Sequence, residues 1–160
     1  MPARVRVLGV DPGSAAAGWA LVTSDGRHHL LEDAGVIRPC GDGRAERLAD
    51  LVRRLSDLVT SRAPDCAAVE SSFAGRNPRS SLSLAESRGV VLAVLGQGGI
   101  PVYSYTPAQV KSAIVGHGRA EKRQIVYMVV RLLGLEKRPA QDAADAMAVA
   151  LTHLHTSLWK

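Results

Sequence analysis

Aromatic residues are scarce: phenylalanine occurs once, tryptophan twice and tyrosine three times in 160 residues. A core built from this chain must therefore be aliphatic and rich in alanine. Cysteine is nearly absent, with Cys40 and Cys66 the only two. They make no disulfide framework, lack metal-ligand spacing and fit a reducing cytoplasm. No run reaches the roughly 18 to 20 apolar residues of a membrane-spanning helix, so no membrane partner is expected. Arg4 and Arg6 interrupt the one early apolar stretch, so no secretory leader is expected either. No linker, repeat or low-complexity tract divides the sequence, and its length suits one domain over residues 1–160.

The net charge is +5, and its distribution is uneven. Residues 1–71 hold nine Lys/Arg against ten Asp/Glu, residues 72–138 hold ten against three, and residues 139–160 hold one against two. The excess of cations in the middle third suits a polyanionic partner, since each cation set on a phosphate releases counterions. It equally suits an ordinary solvated surface.

Alternating apolar residues predict a strand over Arg4–Val10, running into the turn signal Asp11-Pro12-Gly13. Trp19–Thr23 and His29–Val36 read as two more strands around Asp25-Gly26, which together make an antiparallel meander. Arg44–Arg62 carries apolar residues at helical spacing with a charged opposite face. Cys66–Val69 reads as a short strand ending at Glu70. A polar loop leads to Asn77-Pro78, a cap followed by proline in the first turn of a helix reaching about Gln97. Along that helix Leu82, Ala85, Gly89, Leu92 and Gly96 recur at intervals of three and four, which would admit the sheet or a second subunit at close range. Pro101–Tyr105 predicts a fifth strand. Thr106-Pro107-Ala108-Gln109 starts a helix ending near Gly116, another helix presents Ile125, Val129 and Leu132, and a last one spans about Ala140 to His153. The class is α/β with a mixed sheet.

Four acids stand at unusual places. Asp11 and Glu70 each end a strand, and adjacent parallel strands ending together would bring them within a few ångströms. Asp142 and Asp145 share a face of the last helix at i and i+3. From Ala143 to Leu151 that helix is otherwise Ala, Met, Val and Leu, so it reads as buried. An ionised Asp beside it is costly unless paired or bound to metal, and no Lys or Arg lies within one helical turn. Phosphodiester hydrolysis needs a hydroxide near neutral pH and charge stabilisation on the leaving oxygen, which two Mg²⁺ ions about 4 Å apart supply. Mg²⁺ takes oxygen ligands, and four carboxylates offset the charge of two such ions. Three of the acids also have an ordinary reading: Asp11 as a turn cap, Glu70 as a surface acid and Asp142 as a dipole-favoured residue of a first turn; Asp145, further into the helix, is harder to excuse.

On these residues the sequence resembles the RuvC family. Gly9-Val10-Asp11-Pro12-Gly13-Ser14 with Gly18 resembles the family's first strand and turn. Val69-Glu70 with Phe73 resembles its second acidic motif. Gln109-Val110-Lys111 and Ala120-Glu121-Lys122 resemble its two lysine motifs, and Asp142-Ala143-Ala144-Asp145-Ala146 with Thr152-His153 its final catalytic helix. Ser71 follows Glu70 where several relatives have Gln, and Asp142 stands where some have His. The resemblance covers essentially the whole chain. It implies an RNase H-like fold, a five-stranded mixed sheet flanked by helices on both faces. It further implies a bacterial, cytoplasmic, nucleoid-associated homodimer that nicks two strands of like polarity in four-way junction DNA, leaving ligatable duplexes. That activity would use Mg²⁺ or Mn²⁺ and act with the RuvA–RuvB branch-migration complex. The implied metal-binding catalytic residues are Asp11, Glu70, Asp142 and Asp145, with Lys111 and Lys122 near the scissile strand.

For DNA contact, Phe73 lies in the polar loop beside Glu70, where an aromatic ring can stack on unpaired bases; the family's matching aromatic has that role. Arg76 and Arg79 flank the loop as candidate phosphate contacts, and Arg119 and Arg123 are further backbone contacts. Tyr103, Tyr105, Trp19 and Trp159 read as packing. Two other functions stay open at this point: a non-catalytic junction- or DNA-binding module, and another RNase H-like nuclease. An actin-like kinase also opens on a strand and an Asp-x-Gly turn, but its two nucleotide-clamping domains do not fit 160 residues.

Overall fold

The computed structural model describes residues 4–71 and 77–157. Its elements run β1 (Val5–Pro12), β2 (Ala17–Ser24), β3 (His29–Ile37), α1 (Arg44–Arg62), β4 (Cys66–Glu70), α2 (Pro78–Gln97), β5 (Val102–Tyr105), α3 (Pro107–Val115), α4 (Lys122–Leu132) and α5 (Gln141–Ser157). The five strands form one mixed sheet in the order β3-β2-β1-β4-β5. The first three pair antiparallel, whereas β4 and β5 join in parallel.

Period-two alternation along the central strands divides the core into two layers. Val7 and Ala68 face a cluster built on α5, with Val110, Ile114 and Val129 from α3 and α4. Leu8, Val10, Ala67 and Val69 face the opposite cluster, built on Leu51, Leu55, Val91 and Leu95 from α1 and α2. Helices therefore cover both faces, as the resemblance implied. Helix α5 is buried from Ala143 to Leu154 apart from Asp145, which explains its nearly uniform apolar composition.

Two glycines set how closely α5 approaches the sheet. A Cβ at Gly9 of β1 would collide with the Ala146 carbonyl oxygen and lie 2.9 Å from the Ala150 Cβ. A Cβ at Gly18 of β2 would collide with the Asp142 carbonyl oxygen. Gly9 and Gly18 thus let the α5 backbone rest directly on the central strands.

The structure corrects several element boundaries. β1 continues past Val10, because Asp11 and Pro12 still pair with Gly18 and Ala17. Its parallel pairing with β4 stops at Val10, so a proline is tolerated beyond that point. Asp11 therefore lies within a strand and not at a turn. α5 continues past His153 to Ser157 because its apolar face continues: Leu154 is buried. The small residues of α2 receive no close neighbour, since a Cβ at Gly89 or Gly96 would meet nothing within 4 Å. They are exposed, as are Ala85 and Leu82, so among the described residues it is not the sheet that approaches them. Cys40 and Cys66 are free thiols, and no helix of the described residues is long and apolar enough to cross a membrane.

Candidate active site

The register of β1 against β4 places the first two acids. Val10 lies opposite Val69, and both point into the α1–α2 layer. The next residue on each strand, Asp11 and Glu70, must turn to the other face, where α5 lies. Gly18 pairs with Asp11 and supports the first turn of α5, so Asp142 and Asp145 are held over the same end of the sheet. One carboxylate oxygen each from Asp11, Asp142 and Asp145 lies within 4.8 Å of the others. Residues 131 and 134 positions apart in sequence thus converge with Asp11 through strand register and glycine packing.

Glu70, the fourth expected acid, falls outside that trio but lines one cleft with two of its members, Asp11 and Asp145, and with Lys111 and Lys122. Pro107, Val110, Ile125 and Ala148 supply its apolar walls. α3 presents Lys111 after a complete capping box, in which the Thr106 side chain accepts from the Gln109 backbone N–H at 3.2 Å and the Gln109 side chain accepts from the Thr106 N–H at 2.8 Å. Lys122 is the first residue of α4, and its Nζ lies 3.2 Å from Asp145 Oδ2. The expectation that no cation neutralises the last pair of acids holds within α5 alone; across the fold α4 supplies one. Gln141 Nε2 donates to Asp145 Oδ1 at 3.0 Å, a contact sequence reading missed although its i, i+4 spacing signals it.

Electrostatically the acids oppose one another. Burial, and after it the charges of Glu70, Asp145 and Asp142, push the Asp11 carboxyl up to about 8, with Lys122 acting the other way. Burial and then Asp145 also raise Glu70 above the usual carboxylate range, opposed by Lys122, Lys111 and a hydrogen bond with Asp11. Two carboxyls that resist ionisation within one acidic cluster are a site that lacks positive charge. The donors are all hard oxygens, the set that suits Mg²⁺, Ca²⁺ or Mn²⁺ more than a soft metal. The residues present therefore fit a divalent cation.

The family model described as crossover junction endodeoxyribonuclease RuvC matches residues 7–153. The chain belongs to the RuvC family. A RuvC crossover junction endodeoxyribonuclease of Nitratidesulfovibrio vulgaris is 45% identical over 155 residues, covering 97% of this chain and 93% of the relative. Thermus thermophilus RuvC, solved in complex with Holliday junction substrate, matches with a TM-score of 0.91 and 32% identity over 97% of this chain and 96% of that one. The yeast mitochondrial Holliday junction resolvase shares the fold at a TM-score of 0.66 and 16% identity, over 97% of this chain and 82% of that one. The RNase H-like fold expected of a RuvC chain is the fold observed.

The remaining candidates lie away from the cleft or outside the described residues. Arg79 is exposed in the first turn of α2, and Arg119 is exposed between α3 and α4. Phe73, Arg76 and Trp159 fall outside the described residues. Tyr105 packs against the α5 layer, its hydroxyl 2.8 Å from His153 Nδ1 and 3.2 Å from Thr156 Oγ1. Trp19 packs on the α1–α2 layer. Tyr103 is only partly a packing residue: it stacks on His153 at 4.3 Å between centroids while staying exposed.

Proposed function

We propose that this chain is a Mg²⁺-dependent nuclease that resolves four-way DNA junctions by paired nicking of two strands of like polarity, and that its whole length is one nuclease domain. The observation that carries the reading is the convergence of Asp11, Asp142 and Asp145, with Glu70 in the same cleft, at one end of the sheet. Membership of the RuvC family supplies the substrate class, together with the junction-bound Thermus thermophilus relative.

Asp11, Glu70, Asp142 and Asp145 would hold Mg²⁺, and Mn²⁺ has the same donor preference. When bound there, the cation polarises a phosphate oxygen and makes a water easier to deprotonate. Asp11, whose carboxyl is pushed up by burial and by its acidic neighbours, would be the ligand that must be deprotonated to hold the cation. Lys111 and Lys122 border the acids on the solvent side, where an ammonium group aligns a phosphate and offsets charge developing on it. The apolar walls lower the local dielectric and strengthen both effects. Hydrolysis adds water across one phosphodiester and leaves nicked duplexes that can be ligated.

Paired nicking needs two such sites. The exposed small-residue stripe of α2, with Leu82 62% exposed at its start, supports a homodimer formed across α2, since nothing among the described residues fills the space beside Gly89 and Gly96. Phe73, Arg76, Arg79 and Arg119 are the proposed strand contacts. We place the enzyme in the cytoplasm, acting with RuvA–RuvB on chromosomal junctions.

Incubation of a labelled four-way junction with the protein, with and without Mg²⁺, tests the reading. Symmetric nicks mapped to two strands of like polarity, absent without Mg²⁺, are expected. Binding without nicking would make the chain a junction-binding module, and preferential cleavage of an RNA–DNA hybrid would make it a different RNase H-like nuclease.

A further inference from the structure

The cations of α4 do not end at the cleft. Lys122 faces Asp145, but the next residue, Arg123, starts a separate row. Arg123, Tyr127 and Arg131 are spaced by four residues, so they share one face of the helix. All three are exposed. Tyr127 is 60% exposed, and the Arg131 guanidinium carbon lies 5.9 Å from its ring centroid. A shallow groove runs along each side of the ring. One is lined by Val115, Gln124 and Met128, and the other carries Glu136, Lys137 and Arg138. Over residues 119–138 six Lys/Arg stand against two Asp/Glu. One acid, Glu121, accepts from Arg123 at 2.7 Å in a solvent-exposed pair, worth little in water and readily exchanged for a stronger anion.

We propose that this face of α4 is a second DNA contact, on which Arg123, Tyr127 and Arg131 hold the sugar–phosphate backbone of one junction arm as it leaves the cleft. The inference rests on the junction reading of the site. Charge selects the partner: Arg123 and Arg131, with Lys137 and Arg138 nearby, outnumber the acids Glu121 and Glu136 and so attract a phosphate backbone. Continuity selects the position, because the row begins one residue after a lysine of the cleft. The chemistry of each member fits as well. Arginine pairs with phosphate through two parallel hydrogen bonds, and a tyrosine hydroxyl is a regular donor to phosphate oxygens while its ring packs on a sugar. Eleven residues of helix rise about 16 Å, which matches about five base pairs of an arm. Such a contact reads no sequence; it sets the direction in which the arm departs and so selects branched DNA over a straight duplex.

The test is junction binding as a function of salt in chelator-containing buffer, paired with hydroxyl-radical footprinting of the arms. The wild-type protein is expected to protect the crossover and, separately, arm backbone about five base pairs away. In Arg123→Glu/Arg131→Glu the arm protection disappears while the crossover stays protected, and the salt slope falls by about two, roughly 0.9 per lost phosphate contact. Tyr127→Ala weakens binding several-fold with the slope unchanged. All three positions are exposed, so melting curves should match the wild type and exclude misfolding. An unchanged slope and an unchanged arm footprint overturn this inference alone. Absence of any junction footprint by the wild-type protein overturns the junction reading with it.

Discussion

Lys122 Nζ and Asp145 Oδ2 lie 3.2 Å apart in the acidic cleft, joining the first turn of α4 to the acid-bearing face of α5. The lysine is largely exposed and the aspartate mostly covered, with side-chain exposures of 64% and 18%. The pair therefore contributes little to stability, less than about 1 kcal/mol. In the proposed reaction it would leave an ammonium group beside the incoming phosphate. Lys122→Ala is expected to lower single-turnover junction cleavage about 100-fold, within the range for loss of one transition-state donor, with the melting temperature nearly unchanged. Full cleavage by this variant would assign Lys122 to the surface.

Gly18 and Gly89 make a contrasting pair. Gly18→Ala forces a methyl group against the Asp142 carbonyl oxygen, so α5 must lift from β2 at the turn that carries the acids. A loss of about 1–3 kcal/mol is expected, with weakened divalent-metal affinity. Gly89→Ala meets open space within the chain and should stabilise the folded monomer by up to about 1 kcal/mol through helix propensity. If α2 forms the dimer contact, the same change weakens self-association in sedimentation experiments. A harmless Gly18→Ala in thermal and metal titrations would refute the account of how α5 is seated.

The raised Asp11 carboxyl ties stability to pH. In the folded chain it keeps its proton to about 8, against an ordinary value of 3.8. Between those limits the native state binds the extra proton, so unfolding free energy falls as pH rises and levels off above about 8. The slope is at most about 1.4 kcal/mol per pH unit, and Glu70 acts in the same direction. Metal-free protein should therefore melt at lower temperature at pH 8 than at pH 6. Asp11→Asn should flatten that dependence and melt higher than the wild type at pH 8. Divalent-metal affinity should rise over the same interval, because binding displaces the proton. Parallel pH profiles of wild type and Asp11→Asn in calorimetry would show that Asp11 is not the linked group.

Arg44, the first residue of α1, ties the turn after β1 to α2. Its guanidinium donates to the carbonyl oxygen of Ser14 at 3.0 Å, to the Ser87 hydroxyl at 3.0 Å, to the Glu86 carboxylate at 3.2 Å, and to the Ser83 carbonyl oxygen. Ser14 belongs to the turn that follows Asp11, and the other three to α2. Ser87 is buried, so Arg44→Ala strands a buried hydroxyl and frees the turn. A destabilisation of about 1–3 kcal/mol in urea unfolding is expected. A change below about 0.5 kcal/mol would place the network among the weak surface pairs.

Much of this arrangement was legible in the sequence because local rules and burial agree. The bounds of α1 matched its apolar spacing, and Thr106-Pro107 and Asn77-Pro78 marked helix starts through capping chemistry that operates wherever the residues fall. Asp142 and Asp145 could be picked out because charge beside an apolar run demands a partner, and Asp11 and Glu70 because each ends a predicted apolar strand. What escaped reading depends on tertiary contact. That Gly9 and Gly18 seat α5 is written in packing across the sheet, and glycine spacing in β1 and β2 does not announce it. The extension of β1 through Pro12 follows from its pairing with β2, while the proline itself suggests a turn. Lys122 as partner of Asp145 joins two helices with no sequence periodicity between them. Phe73 and Arg76 lie outside the described residues.

The account depends on distant acids sharing one cation. Mn²⁺ titration followed by electron paramagnetic resonance, on the wild-type protein and on Asp11→Asn, Asp142→Asn and Asp145→Asn, tests that most directly. The account predicts saturable binding by the wild type and at least about tenfold weaker binding in every variant, the scale of losing a charged ligand. Equal Mn²⁺ binding by all four proteins would contradict it.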